Sequence, residues 1–372
     1  MAVSEIATPN EPLRRALTHA LAFWAVVAPL WVLIGAGFDG SFALDFHHAF
    51  LPAARAVLHG ASPFHALGPH PGVSWNGFLY PPLSAYLVVP FTALPTLAAE
   101  ILAVALAAAA VPAVLWLLGV RDWRCYAVSF LWPPTIIGLQ TANLTLPMLL
   151  GVALVWRYRD RAVIAPLAAA AVVALKLFFW PLLLWFVVTR RYRSAALAAA
   201  AAAVLVLAPW AGIGFAGLRD YPGRLSTISR IEGAHSYSLA SLLHSILPSW
   251  TAAVALATVV GVTGVVLAFV AGRRGRERDA FALVLLAVLA LTPLLEMHYV
   301  VVLLVLVALY RPRLSLAWVA PCLIWGAPGT GTSAPLQVAH VLVVVALTVY
   351  LAYTGWEPRI PRVRFPGRVR AA

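Results

Sequence analysis

Residues 38–83 read FDGSFALDFHHAFLPAARAVLHGASPFHALGPHPGVSWNGFLYPPL and form the longest polar interval of a chain that is 63% hydrophobic. The interval holds two carboxylates, Asp39 and Asp45, and it is rich in aromatic residues and proline. Connections of this length are usually functional or disordered, and the aromatic content argues against disorder. We therefore predict a structured, functional loop, the alternative being a solvated connection with no role of its own. Its histidines are His47, His48, His59, His65 and His70.

The first half of this loop has the pattern of a helix. Between Asp45 and His59 the apolar residues recur at helical spacing. Gly60 then offers a stop, and Ser62-Pro63 prevents the helix from continuing. The pattern predicts a juxtamembrane amphipathic helix lying along the membrane surface. The apolar face is Phe46, Phe50, Ala53 and Val57, and the polar face is His48, Arg55 and His59.

Composition assigns the chain to the membrane proteins. Its mean hydropathy is +0.91 and only 10% of its residues are charged, against about 25% in soluble domains. The length is sufficient for an all-α polytopic bundle of about 12 membrane helices of roughly 20 residues each. The net charge of +13 comes almost wholly from arginine, since Lys176 is the only lysine. These arginines cluster in short loops, which predicts contact with membrane lipids and no nucleic-acid partner.

The arginine clusters also predict how the chain is organised. We expect one integral membrane domain over residues 1–354, with external loops at 38–80 and 213–248. Residues 355–372 form a basic cytoplasmic tail in this scheme. Two cytoplasmic ends require an even number of membrane crossings, but the number of apolar segments is odd. The sequence therefore leaves open on which side of the membrane residues 121–124 lie. The preference for alanine, and for arginine over lysine, suggests a GC-rich bacterial genome, so we expect the membrane to be a bacterial plasma membrane. The two cysteines lie inside apolar segments, so no disulfide or metal framework is indicated.

Several polar residues fall on the external side of this scheme. Residues 162–189 lie between two arginine clusters and are too few for two full crossings, which need about 40 residues. They predict a short hairpin with Lys176 near its tip. Ionisable groups at membrane depth are functional candidates by default. The other external candidates are Gln140, Asn143, Arg230, His235, Glu296 and His298.

Each candidate also has a structural interpretation. Gln140 and Asn143 can cap helix ends, and Lys176 can extend to the membrane interface. His298 can be an ordinary buried histidine, and the arginines of loop 213–248 can be solvated or contact lipid phosphates. All of these candidates fall on the same side of the membrane, and this shared location favours a common site.

A family resemblance connects these residues. The motifs HGASPF (59–64) and FLYPPL (78–83), following a loop helix that starts at an acidic residue, resemble the GT-C fold glycosyltransferases. More closely, they resemble glycosyltransferase family 87, the polyprenol-phosphate-mannose-dependent α-mannosyltransferases of actinobacteria. The resemblance is spread over most of residues 20–310. Four further motifs carry it: GLQTANL (138–144), ALKLFFWPLLL (174–184), HSYSL (235–239) and TPLLEMHY (292–299).

The resemblance implies a GT-C type helical fold and a specific chemistry. Such enzymes move a sugar, here mannose, from a polyprenyl-phosphate donor to a lipid-linked or cell-envelope glycan acceptor on the extracytoplasmic face. They invert the anomeric centre, and the carboxylate that acts as general base corresponds to Asp45. Candidates for stabilising the donor phosphate are Lys176, His298 and Arg230. The remaining substrate-binding candidates are His48, Tyr80, Gln140, Asn143, His235 and Glu296.

No cofactor is expected besides the lipid donor. The sequence leaves open whether Asp39 with His47 or His48 holds a divalent metal, and we expect none because no second carboxylate lies close to Asp45 in sequence. Two other classes stay open. A polytopic transporter or lipid flippase should show internal repeats and paired charges near mid-membrane, whereas a membrane scaffold needs no acidic residue at a helix start.

Overall fold

A computed structural model describes residues 11–64, 77–327 and 335–355. Every regular element within these ranges is a helix, which confirms the all-α expectation. His65, His70 and nearly all of the expected basic tail (355–372) lie outside the described residues. The α-helices are α1 (Glu11–Asp39), α2 (Leu51–Leu58), α3 (Leu83–Val88), α4 (Thr96–Leu117), α5 (Trp123–Ser129), α6 (Pro133–Thr141), α7 (Thr145–Arg157), α8 (Ile164–Leu175), α9 (Pro181–Val188), α10 (Tyr192–Gly212), α11 (Tyr221–Ile231), α12 (Leu239–His244), α13 (Trp250–Arg273), α14 (Glu277–Leu291), α15 (Leu303–Tyr310), α16 (Leu316–Val319) and α17 (Pro335–Thr354).

Tighter or wider helical turns connect several of these helices. A π-helical turn runs directly into α2, and 3₁₀ turns follow α3, α8, α11 and α16 or precede α15. These turns are Phe46–Phe50 (π) and Val89–Ala93, Leu177–Phe179, Gly233–His235, Met297–Val302 and Ala320–Gly326 (3₁₀).

The expected number of about 12 membrane helices is not confirmed. Within the described residues, five helices are long and apolar enough to cross a membrane, or six if the bent pair α6–α7 counts as one span. Many other apolar segments form helices that are too short for a hydrocarbon core of about 30 Å. The five candidate spans are Arg15–Asp39, Thr96–Leu117, Tyr192–Gly212, Trp250–Arg273 and Pro335–Thr354.

The loop helix forms where its pattern predicts it. The π turn and α2 together cover 46–58, His59 is the C-cap, and Gly60 has a φ of +68°, which glycine adopts without a Cβ clash. The predicted apolar face is buried, but not against lipid. It packs on α3, the 3₁₀ turn Val89–Ala93 and α4. The expectation of a helix lying on the membrane surface by its apolar face is therefore wrong, because this face forms part of a second protein core.

Two apolar cores organise the molecule. The larger core joins α4–α10 with α13–α17, and the smaller core joins the π turn, α2, α3, the first half of α4, the end of α10 and α11. The α6–α7 connection and the chain after α8 contribute to both cores: Ala142 and Leu177 pack in the smaller core, and Leu139 and Phe179 in the larger. Residues at these two connections therefore lie where the cores meet.

The arginine-rich connections meet at one end of the bundle. Arg191 donates to Asp160 (Nη2–Oδ1 2.8 Å) and to Glu277 (Nη2–Oε2 3.2 Å), which joins three connections. The backbone N–H of Leu314 donates to Asp122 (3.0 Å), which places 121–124 at the same end as Arg311. Residues 121–124, whose side the sequence leaves open, therefore lie at this end of the bundle. We call this end the arginine end.

Close helix contacts depend on small residues, because lipid offers little hydrophobic drive for helix association. Helices α13 and α14 pack as an antiparallel pair. A Cβ built on Gly264 would lie 3.3 Å from that of Ala287, and one on Gly261 would overlap the Leu291 side chain and lie 3.2 Å from its backbone nitrogen. Gly261 therefore sets how closely the end of α14 approaches α13.

We predict that Gly261→Ala destabilises the protein by about 1–3 kcal/mol, the usual cost of overpacking. Gly35→Ala on α1 is the matched control, since nothing lies within 4 Å of its Cβ position. Alanine there should be neutral or slightly stabilising because it favours the helix. Thermal unfolding in detergent measures both, and equal midpoints for the two variants would contradict this account of the α13–α14 contact.

Candidate active site

Three breaks in helical structure lie beside one another at the end of the bundle opposite the arginines. Helices α6 and α7 are bent by 120° around Asn143, where Ala142 has a left-handed φ of 48°. Helix α8 ends at Lys176, whose backbone is extended. Helix α14 ends at Leu291, and helical structure resumes at Met297. Irregular backbone at membrane depth occurs where it is buried in protein or lines a cavity, so these breaks mark a candidate site.

A chain of hydrogen bonds links Asp45 to Lys176. The Asp45 Oδ2 accepts a bond from Asn143 Nδ2 at 2.5 Å, and the same Nδ2 donates to the Tyr80 hydroxyl at 2.8 Å. The Asn143 Oδ1 accepts from the Thr145 backbone N–H (3.0 Å) and from its hydroxyl (2.8 Å). Lys176 Nζ in turn donates to Thr145 Oγ1 at 2.6 Å. The amide of Asn143 is therefore fixed in orientation between the carboxylate and the ammonium group.

The Lys176 ammonium lies among aromatic rings. The residue is 2% exposed. Its Nζ lies 3.8 Å from the ring centre of Tyr299, 5.2 Å from that of Tyr80 and 5.7 Å from that of Phe178. Such contacts stabilise a cation that has lost its water. The ammonium group is thus held inside the protein and does not extend to the membrane interface.

Two carboxylates share the electrostatic field of this lysine, and both stand in loops outside the membrane-spanning helices. Burial raises the pKa of Asp45, while the Asn143 hydrogen bond and the charges of Lys176 and His48 lower it. Burial also raises the pKa of Glu296 to about 7; the charges of Asp45 and Glu232 add to this and that of Lys176 opposes it. A carboxylate with a raised pKa is a stronger base, which suits Asp45 to proton transfer.

A cavity of about 210 Å³ opens beside Lys176. Its walls come from residues 79–81, 177–178, 292–294 and one face of α11. They are mainly apolar and aromatic, and Lys176 is the one charged residue among the described residues that line it. An apolar cavity with a single cationic group is suited to an amphiphile whose polar end is an anion.

His298 lies next to this cluster. The residue is 4% exposed, its ring centre lies 4.5 Å from that of Tyr299, and it is within electrostatic range of Lys176. Its Nε2 has no hydrogen-bond partner among the described residues. A buried polar atom without a partner is available to a ligand.

Gln140 and Asp39 belong to a neighbouring turn. Gln140 Nε2 donates to Ser41 Oγ at 2.9 Å, and Ser41 Oγ donates to Asp39 Oδ1 at 2.6 Å. The Ser41 backbone N–H also donates to Asp39 Oδ1, at 2.9 Å. Asp39 therefore has the turn role that its position before Gly40 suggests.

The structure does not bring Arg230 or His235 into the cluster. Arg230 is exposed in the last turn of α11 and does not line the cavity, and His235 is exposed in the 3₁₀ turn after α11. His48 is partly buried one turn after Asp45, with its ring centre 4.6 Å from that of His47. The backbone next to His235 nevertheless reaches the site loop, because the Tyr237 N–H donates to the Leu295 carbonyl at 2.8 Å.

The sequence assigned Tyr80 to the site but gave no role to Thr145, Phe178 or Tyr299. Thr145 carried a usable signal, because it follows Asn143 by two residues at the predicted start of a helix. Phe178 and Tyr299 lie inside the motifs at 174–184 and 292–299, but the motifs alone do not distinguish their rings from the many other aromatic residues of this chain. Glu100 was also missed as a partner: it is 7% exposed within α4 and lies 2.5 Å from His47 Nδ1.

No group of three or more His, Cys, Asp or Glu among the described residues is arranged to hold a metal ion. Asp39 is engaged by Ser41, and His47 by Glu100. That the reaction needs no metal stays a prediction.

No curated protein and no solved structure matches the chain. A family model matches residues 78–297, a segment that includes Tyr80, Asn143, Lys176 and Glu296, whereas Asp45 precedes it. The family is described as glycosyltransferase family 87, and the match covers more than half of the 372 residues. The chain therefore belongs to glycosyltransferase family 87 and is a membrane glycosyltransferase.

Proposed function

We propose that the protein transfers a sugar, mannose in our expectation, from a polyprenyl-phosphate donor to a hydroxyl of a lipid-linked or cell-envelope glycan. The anomeric centre is inverted, Asp45 is the general base, and no metal takes part. The observation that carries this proposal is the apolar cavity whose one charged lining residue is Lys176, joined to Asp45 through Thr145 and Asn143.

The donor's two parts match two parts of the site. A polyprenyl chain is apolar and suits the wall that Leu225 and Ile228 of α11 provide. Its phosphate is an anion and suits Lys176, whose ammonium donates to the Thr145 hydroxyl and lies against aromatic rings, with the Asp45 and Glu296 carboxylates within electrostatic range. The unpaired Nε2 of His298 is a second candidate contact to the phosphate.

In the proposed reaction the Asp45 carboxylate removes the proton of the acceptor hydroxyl. The acceptor oxygen attacks the anomeric carbon, and the bond between this carbon and the phosphate oxygen breaks with its electron pair. The leaving polyprenyl phosphate gains negative charge, which Lys176 stabilises. Asn143 keeps the carboxylate in position, and Tyr80, His48 and Glu296 are the candidates for contacts to the sugars. Transfer should fall as the pH drops through the pKa of Asp45, because the base is then protonated.

We further propose that the arginine end faces the cytoplasm of a bacterial plasma membrane and that the site faces outside, since arginine-rich loops stay inside. Ser226 is exposed on α11 at the site end, and Ala162 is exposed between α7 and α8 at the arginine end. An impermeant thiol reagent added to intact cells should label Ser226→Cys and leave Ala162→Cys unlabelled. The reverse pattern would contradict the orientation.

The function is tested with purified protein in lipid, given radiolabelled polyprenyl-phosphate sugars or nucleotide sugars together with a lipid extract as acceptor. We expect a new glycosidic product from a polyprenyl-phosphate sugar, unaffected by a chelator. Asp45→Asn keeps the hydrogen bond from Asn143 but removes the base, so transfer should fall by about 10²–10⁴-fold. A lipid flippase, the alternative function, would move the donor across the bilayer without forming a product.

Asp39→Asn is the matched control, because Asp39 is the other carboxylate of the same loop and is held by Ser41. It should retain near-normal transfer. Loss of transfer in Asp39→Asn with normal transfer in Asp45→Asn would mean that the other carboxylate is the base.

We predict that Lys176→Met lowers kcat/KM for the donor by about 10²–10³-fold, as removal of one charge-stabilising group does elsewhere. Thermal stability should hold or rise, because burying a charge costs free energy and methionine of similar length avoids this cost. Arg230→Met is the control and should transfer normally, since Arg230 is exposed outside the cavity. Normal kinetics in Lys176→Met and a loss in Arg230→Met would assign the phosphate to Arg230.

A further inference from the structure

A second cavity, of about 360 Å³, lies at the arginine end, far along the helices from Lys176. It separates the α13–α14 pair from the α15–α17 pair. The body of the cavity is lined by aliphatic side chains from all four helices: Leu267, Leu283, Leu286, Leu306 and Val349. Its volume is within the roughly 300–1,000 Å³ of ligand pockets.

The mouth of this cavity is cationic. Asp279 is already engaged, since its Oδ2 accepts from Arg276 Nε (2.6 Å) and its Oδ1 from the Tyr310 hydroxyl (2.5 Å). Arg276 Nη2 also donates to the Tyr353 hydroxyl at 2.7 Å. Arg274 lines the same mouth and makes no side-chain hydrogen bond or ion pair with any described residue. The mouth therefore has one uncompensated guanidinium group, which favours an anion.

The depth of the cavity fits one leaflet. Helix α13 rises about 10 Å from Leu267 to Arg274. One leaflet contributes about 15 Å to a hydrocarbon core of about 30 Å, so the cavity spans most of one leaflet. An occupant must therefore be apolar along this depth and anionic at the level of Arg274. We propose that the cavity binds an anionic phospholipid of the leaflet at the arginine end, with an acyl chain between the two helix pairs and the phosphate on Arg274.

The chain's own tail is the other candidate occupant, and its charge disfavours it. Residues 356–372 carry five arginines and one acidic residue. A segment of this charge would meet the cationic mouth with the same sign, whereas a phospholipid headgroup meets it with the opposite sign. A free phosphate matches the mouth alone and would leave the apolar body unfilled.

The test is lipid retention by the full-length protein, reconstituted with equal amounts of phosphatidylglycerol and phosphatidylcholine, extracted in mild detergent and examined by native mass spectrometry. Wild type should retain phosphatidylglycerol. Arg274→Gln should retain at least about tenfold less, as expected for loss of one charge-assisted contact. Leu283→Trp should also lose the lipid with every arginine intact, because the larger side chain fills the cavity.

Arg273→Gln is the control for net charge: its guanidinium lies 4.7 Å from the Phe269 ring centre and does not line the cavity, so retention should be unchanged. Four results would overturn the proposal. They are equal losses in Arg273→Gln and Arg274→Gln, equal retention of phosphatidylcholine, displacement of the lipid by inorganic phosphate, and cross-linking of a photoreactive benzoylphenylalanine in place of Leu286 to residues 356–372.

Discussion

The need to stabilise one buried ammonium group constrains the whole site end of this molecule. Moving an unpaired charge out of water costs several kcal/mol in a protein interior. Lys176 meets a hydroxyl from Thr145 and the faces of three aromatic rings, and these partners come from four separate parts of the chain. Helix α8 ends at Leu175, directly before the lysine, and α7 begins at Thr145, two residues after Asn143. Both helix ends therefore place their polar side chains at the site. Asp45 is held in turn through Asn143, so the position of the carboxylate follows from the stabilisation of the cation.

The smaller apolar core explains how a loop can hold Asp45, the proposed base, at a fixed position. Its aromatic residues pack between the loop and α10 and α11: the Phe64 ring is stacked on Trp210 at 4.9 Å, and the Tyr221 hydroxyl donates to the Leu79 carbonyl at 2.7 Å. The second contact fixes the backbone directly before Tyr80, whose hydroxyl accepts from Asn143 and whose ring lies 5.2 Å from Lys176 Nζ. One core thus positions Asp45 and the surroundings of Lys176 together, which suits the proposed reaction, in which proton removal and loss of the phosphate are coupled.

Sequence patterns predicted those parts of the structure that depend on local physics. The loop helix, its stop at Gly60 and the turn at Lys176 all follow from periodicity and from residues that interrupt helices. The resemblance to family 87 was likewise confirmed. Long-range packing was not predictable in this way. The apolar face of Phe46 and Phe50 has the same pattern whether it meets lipid or protein, and short apolar helices resemble membrane spans until their ends are known. Thr145 and Tyr299 acquire their roles from Lys176, which is distant from both in the sequence.

The central claim is that Lys176 binds the phosphate of a lipid donor whose chain occupies the apolar cavity beside it. A cryo-electron microscopy structure of the protein with polyprenyl phosphate, the donor without its sugar, tests this directly. We expect a phosphate oxygen within hydrogen-bond distance of Lys176 Nζ and isoprenoid density between residues 79–81 and α11. A phosphate bound at Arg230, with the cavity beside Lys176 empty, would contradict it.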